Sequence, residues 1–380
     1  MSNHSNRLTK EDFQLVGYKN ANRFEQTISG QSKSYLSEVF RRFFKNKWAC
    51  VFLFLFTLII IMAIYVPITS PFVPFYPVVD SQFVTNLPPR PFNENAIITI
   101  RVSEAIKDYL QKLEIKNNLI VSCEQNGIYW FVSLHPYYLP ELKNLNLILG
   151  TDSYGSDIWT DLWSSVASSL SIAFIAATLA MIIGVIYGSI AGSNAGKWID
   201  TIMMRFVEVI LGTPMIIWVM ILSIVFIKHS NDTSIINKQT DNFGLTLALV
   251  FTAWAQPAIA TRTYILRVKN NEYISACQTF GGSRIRLIFC HMLPIIFGRI
   301  LVIFVNLIPT IIFFEASLTF LNIKSASDAS LGIMLNNAWK NISQLNLMLP
   351  PIIVFSLFTI SAQIIANSLN DAIDPRIMGR

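Results

Sequence analysis

The sequence predicts an all-α polytopic membrane protein with six transmembrane helices and a small external α+β insert between the first two. Hydrophobic residues make up 53% of its 380 residues and charged residues only 14%, and the mean hydropathy is +0.48. A soluble domain of this length is rarely so apolar. The charged residues collect in segments that flank long apolar runs, which is the pattern that membrane topology produces.

The composition argues against several other classes of protein. The net charge of +6 is concentrated beside apolar runs, so we expect no nucleic-acid binding. The four cysteines lie far apart without a CxxC spacing, so neither a disulfide framework nor a metal site is indicated. The first apolar run is too long for the apolar region of a cleavable signal peptide, and we expect none.

Residues 1–47 are expected to form a cytoplasmic tail that ends in a basic amphipathic helix. From residue 35 onward, apolar side chains recur with the helical period beside several basic residues. Such a helix either lies on the anionic inner leaflet or only supplies the positive flank of the first span. Both alternatives place the N-terminus inside. The apolar positions are Leu36, Val39, Phe40, Phe43 and Phe44.

The first span is predicted at 48–66, and residues 67–148 are predicted to form the external insert. A proline-rich stretch ends the span because proline cannot continue a helix. Within the insert, residues 98–115 predict a helix. Residues 118–134 predict a β-hairpin, because Asn126-Gly127 supplies the positive φ angles of a type I′ turn. The insert either contacts a substrate-delivery partner or acts as a stabilising cap.

A five-helix core is predicted over 149–367, with a cytoplasmic tail at 368–380. In the second span, Gly184, Gly188 and Gly192 recur every four residues. This spacing puts a smooth strip on one helix face, where another helix can approach closely. Six spans place both termini inside and put the short Lys/Arg-rich loops on that same side. The predicted spans are 48–66, 166–191, 206–227, 243–261, 295–321 and 349–365.

The third span contains a proline and an acidic residue. Pro214 predicts a kink. Glu208 follows Arg205 by three residues, so the two side chains can pair on one helix face. The alternative is that Glu208 faces a lumen, because an unpaired charge at membrane depth is costly.

Residues 271–294, NEYISACQTFGGSRIRLIFCHMLP, are a polar interruption of the apolar C-terminal half. A short helix is predicted to begin at Glu272 and to end at Gly281-Gly282, because glycine tolerates the left-handed conformation at a helix C-terminus. Arg284 and Arg286 then open a second helix that re-enters the membrane. The segment contains no plausible nucleophile, metal site or phosphate loop. From the residues alone it is either a docking surface for a soluble partner or an ordinary interfacial loop.

The same stretch resembles the "EAA" motif of ABC-importer permeases and is most similar to the oligopeptide/dipeptide type. Further segments, in the same order, resemble the C-type (OppC/DppC-like) subunit: RRFFKNKWA, LGTDSYGSDIW, FFEASLTFLNI, ASLGIML and LNDAIDPR. Ser275 replaces the glutamate that defines the motif, and Cys277 replaces its second alanine. The positions that match the motif are Glu272, Tyr273, Ala276, Gly281, Ser283, His291, Leu293 and Pro294.

The resemblance implies a type I ABC-importer permease fold that forms half of a translocation pathway. It implies four kinds of partner: a second permease of the OppB/DppB type, two ATPase subunits, an extracellular peptide-binding protein and membrane lipid. No catalytic residue and no cofactor are expected in this chain, since ATP and Mg would be bound by the ATPases. The alternatives are an ABC permease for another solute such as nickel, or a stand-alone secondary transporter.

Under the resemblance, residues 271–283 would be a coupling helix that transmits ATPase motion. Glu315, near the outer third of the fifth span, would either line the pore or be a buried group that holds the two permeases together. The residues expected to dock on the ATPase are Glu272, Tyr273, Ser275, Ala276, Cys277 and Gly281.

Overall fold

The structure, a computed structural model, describes residues 35–79, 81, 83–91, 96–117, 119–126, 129–228, 237–321, 329–341 and 344–373. The tail at 1–34 and the last seven residues of the predicted C-terminal tail lie outside this part. The N-terminal half contains α1 (Tyr35–Lys45), α2 (Lys47–Thr69), α3 (Glu104–Asn117), α4 (Ile158–Ser193), α5 (Trp198–Gly212) and α6 (Met215–Lys228). The C-terminal half contains α7 (Asn237–Ala253), α8 (Ala255–Lys269), α9 (Glu272–Thr279), α10 (Arg284–Arg286), α11 (Leu293–Phe320), α12 (Leu331–Lys340) and α13 (Leu345–Ile373).

In the described residues, five helical stretches are long and apolar enough to cross a membrane. A sixth crossing is available if the bent pair α5 and α6 counts as one span. The fold class predicted from the sequence, a mostly helical membrane protein with a small sheet insert, is confirmed. The five stretches are Lys47–Thr69, Ile158–Ser193, Phe243–Lys269, Arg284–Phe320 and Leu345–Ile373.

The third span differs from its prediction as one continuous helix with a kink. The chain turns by 89° between α5 and α6, so the helix is broken. Thr213 has an extended backbone, with φ −102° and ψ 137°. The proline ring of Pro214 disfavours helical geometry in the residue before it and removes a backbone donor.

The insert is organised by a three-stranded antiparallel sheet of β1 (Ile98–Val102), β2 (Ile120–Asn126) and β3 (Tyr129–Leu134), in the order β1-β3-β2. The predicted hairpin is confirmed, with Asn126 paired to Tyr129. Residues 127–128 lie outside the described part, so the turn type stays a prediction. The helix predicted at 98–115 is wrong in its first third. Ile98–Val102 is a strand because four of its five residues are β-branched and its backbone pairs with β3.

The insert has its own apolar core, separate from that of the helical bundle. Tyr137 is almost completely buried in it, and its hydroxyl donates to the carbonyl oxygen of Pro88. Burial raises the pKa of Tyr137 to about 12, so the phenol stays protonated and keeps donating across the physiological range. Arg90 lies over the same ring, 5.4 Å from its centre.

The glycine strip of α4 lies against α8, as its spacing predicts. A Cβ on Gly184 would lie 2.6 Å from Cβ of Pro257, and one on Gly188 would overlap the carbonyl oxygen of Ala258. Gly192 also meets α8, where a Cβ would lie 2.8 Å from Ile265. The two helices can approach this closely because glycine has no side chain.

The first and last helices of the described chain pack together. Val39 and Phe43 of α1 are buried against Ile365 and Ile373 of α13. Asn46, which caps α2, also donates from Nδ2 to Oγ of Ser368 at 3.3 Å. The apolar side of the amphipathic helix α1 thus packs, through Val39 and Phe43, against another helix of the same chain.

Candidate functional site

Segment 271–294 forms a short helix, α9, at the end of the bundle opposite the insert. Ile274 is completely buried in a cluster that also contains Ile265 of α8 and Leu287. Cys277 is half-buried against the same cluster. One side of the helix is therefore fixed to the bundle. The other side is exposed and carries Glu272, Tyr273, Ser275, Ala276 and Gln278.

The end of α9 is a tight glycine turn, as the sequence predicts. Gly281 has φ +80°, and its N–H donates to the carbonyl oxygen of Gln278 at 3.0 Å. The N–H of Gly282 donates to the carbonyl oxygen of Cys277, also at 3.0 Å. This pair of bonds is a Schellman motif, which satisfies the last carbonyls of a helix. Between α9 and the turn, the ring of Phe280 is 90% exposed.

The chain re-enters the bundle through a wide helical turn that the sequence did not predict. Ser283 caps α10 by accepting from the N–H of Arg286, and Leu287–Met292 then forms a π-helix that continues into α11. Pro294 explains this turn. Its ring would press on the carbonyl four residues earlier in a regular helix, and a wider turn relieves that contact.

Two basic residues tie the segment and its neighbours to the end of α4. Lys269 donates from Nζ to the carbonyl oxygen of Ser193 at 3.0 Å, and Arg284 donates to Oδ1 of Asn194 at 3.4 Å. A cavity of about 320 Å³ lies between them, and Lys197 and Gln278 also line it. This end of the bundle is therefore strongly basic beside the exposed helix.

A bidentate ion pair joins α5 to α8 near the same end. Arg262 donates to both carboxylate oxygens of Asp200, at 2.6 and 2.7 Å. The Asp200 side chain is only 6% exposed. Sequence reasoning missed this pair, although an acidic residue in a basic link is a signal that could have found it. The pair predicted between Arg205 and Glu208 is confirmed at 2.9 Å, with both side chains exposed.

Glu315 lies far from segment 271–294, towards the insert end of the bundle. Its side chain is completely buried, and Ser169 of α4 donates to it at 2.9 Å. The same Ser169 oxygen accepts the backbone N–H of Leu331 at 3.1 Å. Ser169 of α4 therefore joins Glu315 of α11 to the start of α12 inside this chain, and a role of Glu315 at a pore or at a second subunit stays a prediction.

Among the described residues, no group of three or more His, Cys, Asp or Glu side chains is placed to hold a metal ion. The exposed face of α9 likewise carries groups suited to contact rather than to chemistry. Ile274 belongs to one buried cluster with Ile265 of α8 and Ile296 of α11, so the exposed face of α9 is joined to the packed bundle.

Two family models match the chain. Residues 184–379 match the "Binding-protein-dependent transport system inner membrane component". Residues 34–89 match the "N-terminal TM domain of oligopeptide transport permease C". The chain belongs to the family of binding-protein-dependent inner membrane components. Most of the insert lies between the two matched regions.

Curated relatives are similar over nearly the whole chain. The oligopeptide transport system permease protein OppC of Mycoplasma pneumoniae is 40% identical over 374 residues, which cover 97% of each protein. The protein of the same name from Mycoplasma genitalium is 40% identical over 373 residues, with the same coverage. The dipeptide transport system permease protein DppC of Bacillus subtilis is 30% identical over 377 residues, covering 98% of this chain and 95% of that protein.

Proposed function

We propose that this chain is one of two permease subunits of an ATP-driven ABC importer for oligopeptides or dipeptides. The observation that carries the proposal is near-full-length similarity to permeases whose names specify oligopeptide or dipeptide transport. The chain would form half of the pathway across the cell membrane, with both termini cytoplasmic. The basic residues Lys197, Lys269 and Arg284, which line one cavity at one end of the bundle, support that orientation.

The assembly would contain the partners that the resemblance implies. A second permease of the OppB/DppB type would complete the pathway, two ATPase subunits would dock inside, and a peptide-binding protein would deliver cargo outside. The chain has no GxxxxGK[ST] motif, so it does not supply a P-loop ATP site. ATP and Mg²⁺ would therefore be held by the ATPase subunits.

Segment 271–294 would couple the ATPases to the bundle. Because Ser275 stands where the motif has glutamate, docking on its exposed face would rest more on shape and backbone than on a carboxylate. Displacement of α9 would be transmitted through Ile274 to Ile265 of α8. Helix α8 in turn lies on the glycine strip of α4. Such a path can bias a two-state bundle from a remote site.

The transport proposal is tested by reconstitution with the cognate partners in proteoliposomes. We expect ATP-dependent uptake of a labelled oligopeptide or dipeptide, and co-purification of two ATPase subunits and a second permease from detergent. Uptake without an ATPase would overturn the proposal in favour of a secondary transporter. ATP-driven uptake of nickel but not of peptides would replace the substrate class.

The docking role is tested on the exposed face of α9. We expect Ala276→Trp to abolish ATP-dependent uptake without changing membrane insertion, because the added ring occupies the contact surface. Ser37→Trp, the same enlargement at an exposed site on α1, is the control and is expected to transport normally. Normal uptake by Ala276→Trp would refute docking through this face.

A further inference from the structure

The break between α5 and α6 opens onto a small cavity inside the bundle. The cavity measures about 180 Å³ and is lined from α7, α8 and α11 as well as from the break itself. Most of its wall is apolar, but four polar side chains also line it. They are Thr213, Thr252, Gln256 and Thr310. We call this cavity the break niche.

The break niche lies deep in the membrane-spanning part of the chain. Gln256 is the central residue of the 27-residue helical stretch Phe243–Lys269, which joins the end of α7 to α8, so it lies about 20 Å from either end at 1.5 Å per residue. Thr310 lies about 15 Å from the end of α11 by the same rise. In a hydrocarbon layer about 30 Å thick, these positions are near the middle.

The polar groups of the niche differ in how they are satisfied. The hydroxyl groups of Thr252 and Thr310 donate to carbonyl oxygens of their own helices. Trp218 donates from Nε1 across the break to the carbonyl oxygen of Ile210, at 3.2 Å. Gln256 is exposed, and its amide makes no hydrogen bond to any residue that the structure describes. The hydroxyl group of Thr213, at the break, likewise makes no hydrogen bond to a described residue. One amide, both donor and acceptor, and one hydroxyl group are therefore available around the niche.

Contact with lipid is unfavourable for the surface that contains the helix break and the exposed amide of Gln256. A broken helix and an exposed amide at membrane depth are tolerated where they line a water-filled cavity or are covered by protein. The outer face of α2 gives the contrast. Its most exposed central side chains are apolar, as contact with lipid requires, and include Phe54, Ile61 and Ile64.

We propose that the break niche lines the passage and that Gln256 is a contact for main-chain amides of the transported peptide. This inference rests on the proposed peptide import. A side-chain amide matches a peptide group in both donor and acceptor, whatever side chains the peptide carries. One exposed amide, with only the Thr213 hydroxyl also unpaired among the described groups beside it, offers few hydrogen bonds to a peptide, so that the cargo can leave.

Accessibility to water tests the position of the niche. The four native cysteines would be replaced by serine, and Gln256→Cys would be assembled with its partners in membrane vesicles. A membrane-impermeant thiosulfonate reagent is the probe. We expect Gln256→Cys to react at least about tenfold faster than Phe54→Cys, because a thiol in hydrocarbon does not ionise. A bound peptide should slow the reaction.

The outcomes separate this inference from the function on which it rests. If the wild-type complex imports peptides but Gln256→Cys reacts no faster than Phe54→Cys in any nucleotide state, the niche is not in the passage. If Gln256→Cys is accessible but peptides neither protect it nor enter, the niche belongs to a passage for another solute. If the variant with all four native cysteines replaced by serine loses peptide uptake, Cys277 of α9 is restored. The reaction rate measured for that variant without Gln256→Cys is then subtracted.

A second pair of variants tests the amide itself. Gln256→Leu should lower peptide uptake severalfold while ATPase co-purification stays at the wild-type level. Gln256→Asn keeps the amide and should retain most of the uptake. Equal uptake by both variants would overturn the assignment of Gln256 as a peptide contact.

Discussion

Arg262 donates two hydrogen bonds to the carboxylate of Asp200 and thereby fixes α5 to the middle of α8. The fork of the guanidinium matches both carboxylate oxygens, a geometry that lysine cannot reproduce. The carboxylate is buried whereas the guanidinium is 27% exposed. The pair therefore sets the position of the helix that leads into the break niche.

Loss of this pair should destabilise the protein. We expect Asp200→Ala to lower the free energy of unfolding by about 1.5–3 kcal/mol, the range for hydrogen bonds to charged groups. Glu208→Ala is the control, because it breaks the exposed pair with Arg205, and pairs of that kind contribute at most about 1 kcal/mol. Thermal unfolding in nanodiscs measures both. Equal effects would show that burial of Asp200 does not matter.

The glycine strip should tolerate no side chain. We expect Gly188→Ala to cost about 1–3 kcal/mol, the usual range for overpacking, because its methyl group would overlap the carbonyl oxygen of Ala258. Gly212→Ala makes the same change where no atom lies within 4 Å. Unfolding temperatures in nanodiscs should therefore fall only for Gly188→Ala. A fall of the same size for Gly212→Ala would point to a general effect of the substitution.

The turn after α9 should tolerate only substitutions of Gly281 by residues that can adopt a left-handed backbone conformation. Gly281 has a left-handed conformation and open space around its α-carbon, so only strain limits substitution there. We expect Gly281→Val to cost at least about 1–2 kcal/mol locally and to lower ATP-dependent uptake. Gly281→Asn should retain most of the uptake, because asparagine tolerates this conformation. Similar uptake by the two variants would contradict a requirement for the turn.

Asp157 should make stability depend on pH. It caps α4 by accepting from the N–H of Thr160 at 3.0 Å, while its Oδ1 is buried without a partner among the described residues. Burial raises the pKa of Asp157, and the hydrogen bonds from Thr160 offset only part of that rise. Because the folded state holds the proton more tightly, this contribution to stability is present below the unfolded pKa of 3.8 and is lost as the pH rises through the folded pKa.

Substitution of Asp157 by asparagine isolates this effect. Asp157→Asn keeps a good capping residue but cannot ionise. We expect the wild type to lose stability relative to Asp157→Asn as the pH rises from about 4, the unperturbed value of an aspartate. Unfolding temperatures measured across that range give the difference. A difference that is constant with pH would show that Asp157 has an ordinary pKa.

Sequence patterns predicted the features that depend only on residues close together in the sequence. Gly184 and Gly188 share a helix face by spacing alone, and Gly281 ends α9 because few other residues adopt its conformation. Long-range partners decided the rest. Ile98–Val102 could be helix or strand until β3 is placed beside it, and Asp200 is separated from Arg262 by 62 residues.

The size of the distortion that a proline causes in a helix could not be predicted from the sequence. Pro214 predicted only a bend, since the difference between a kink and an 89° turn depends on what replaces the lost hydrogen bonds. Here Trp218 supplies one replacement across the break. Pro294 likewise gave no local sign that the preceding residues Leu287–Met292 would form a π-helix, because a regular helix could also have ended there.

The packing of α1 and α2 against α13 has a consequence for the order of synthesis. Helices α1 and α2 leave the ribosome before α13 has been synthesised, so Val39, Phe43 and the capping Asn46 lack their α13 partners until then. Larger proteins expose such apolar surface transiently while they fold. A chain truncated before α13 would therefore keep this surface open and should be recognised by membrane quality control, even though its earlier spans had been inserted.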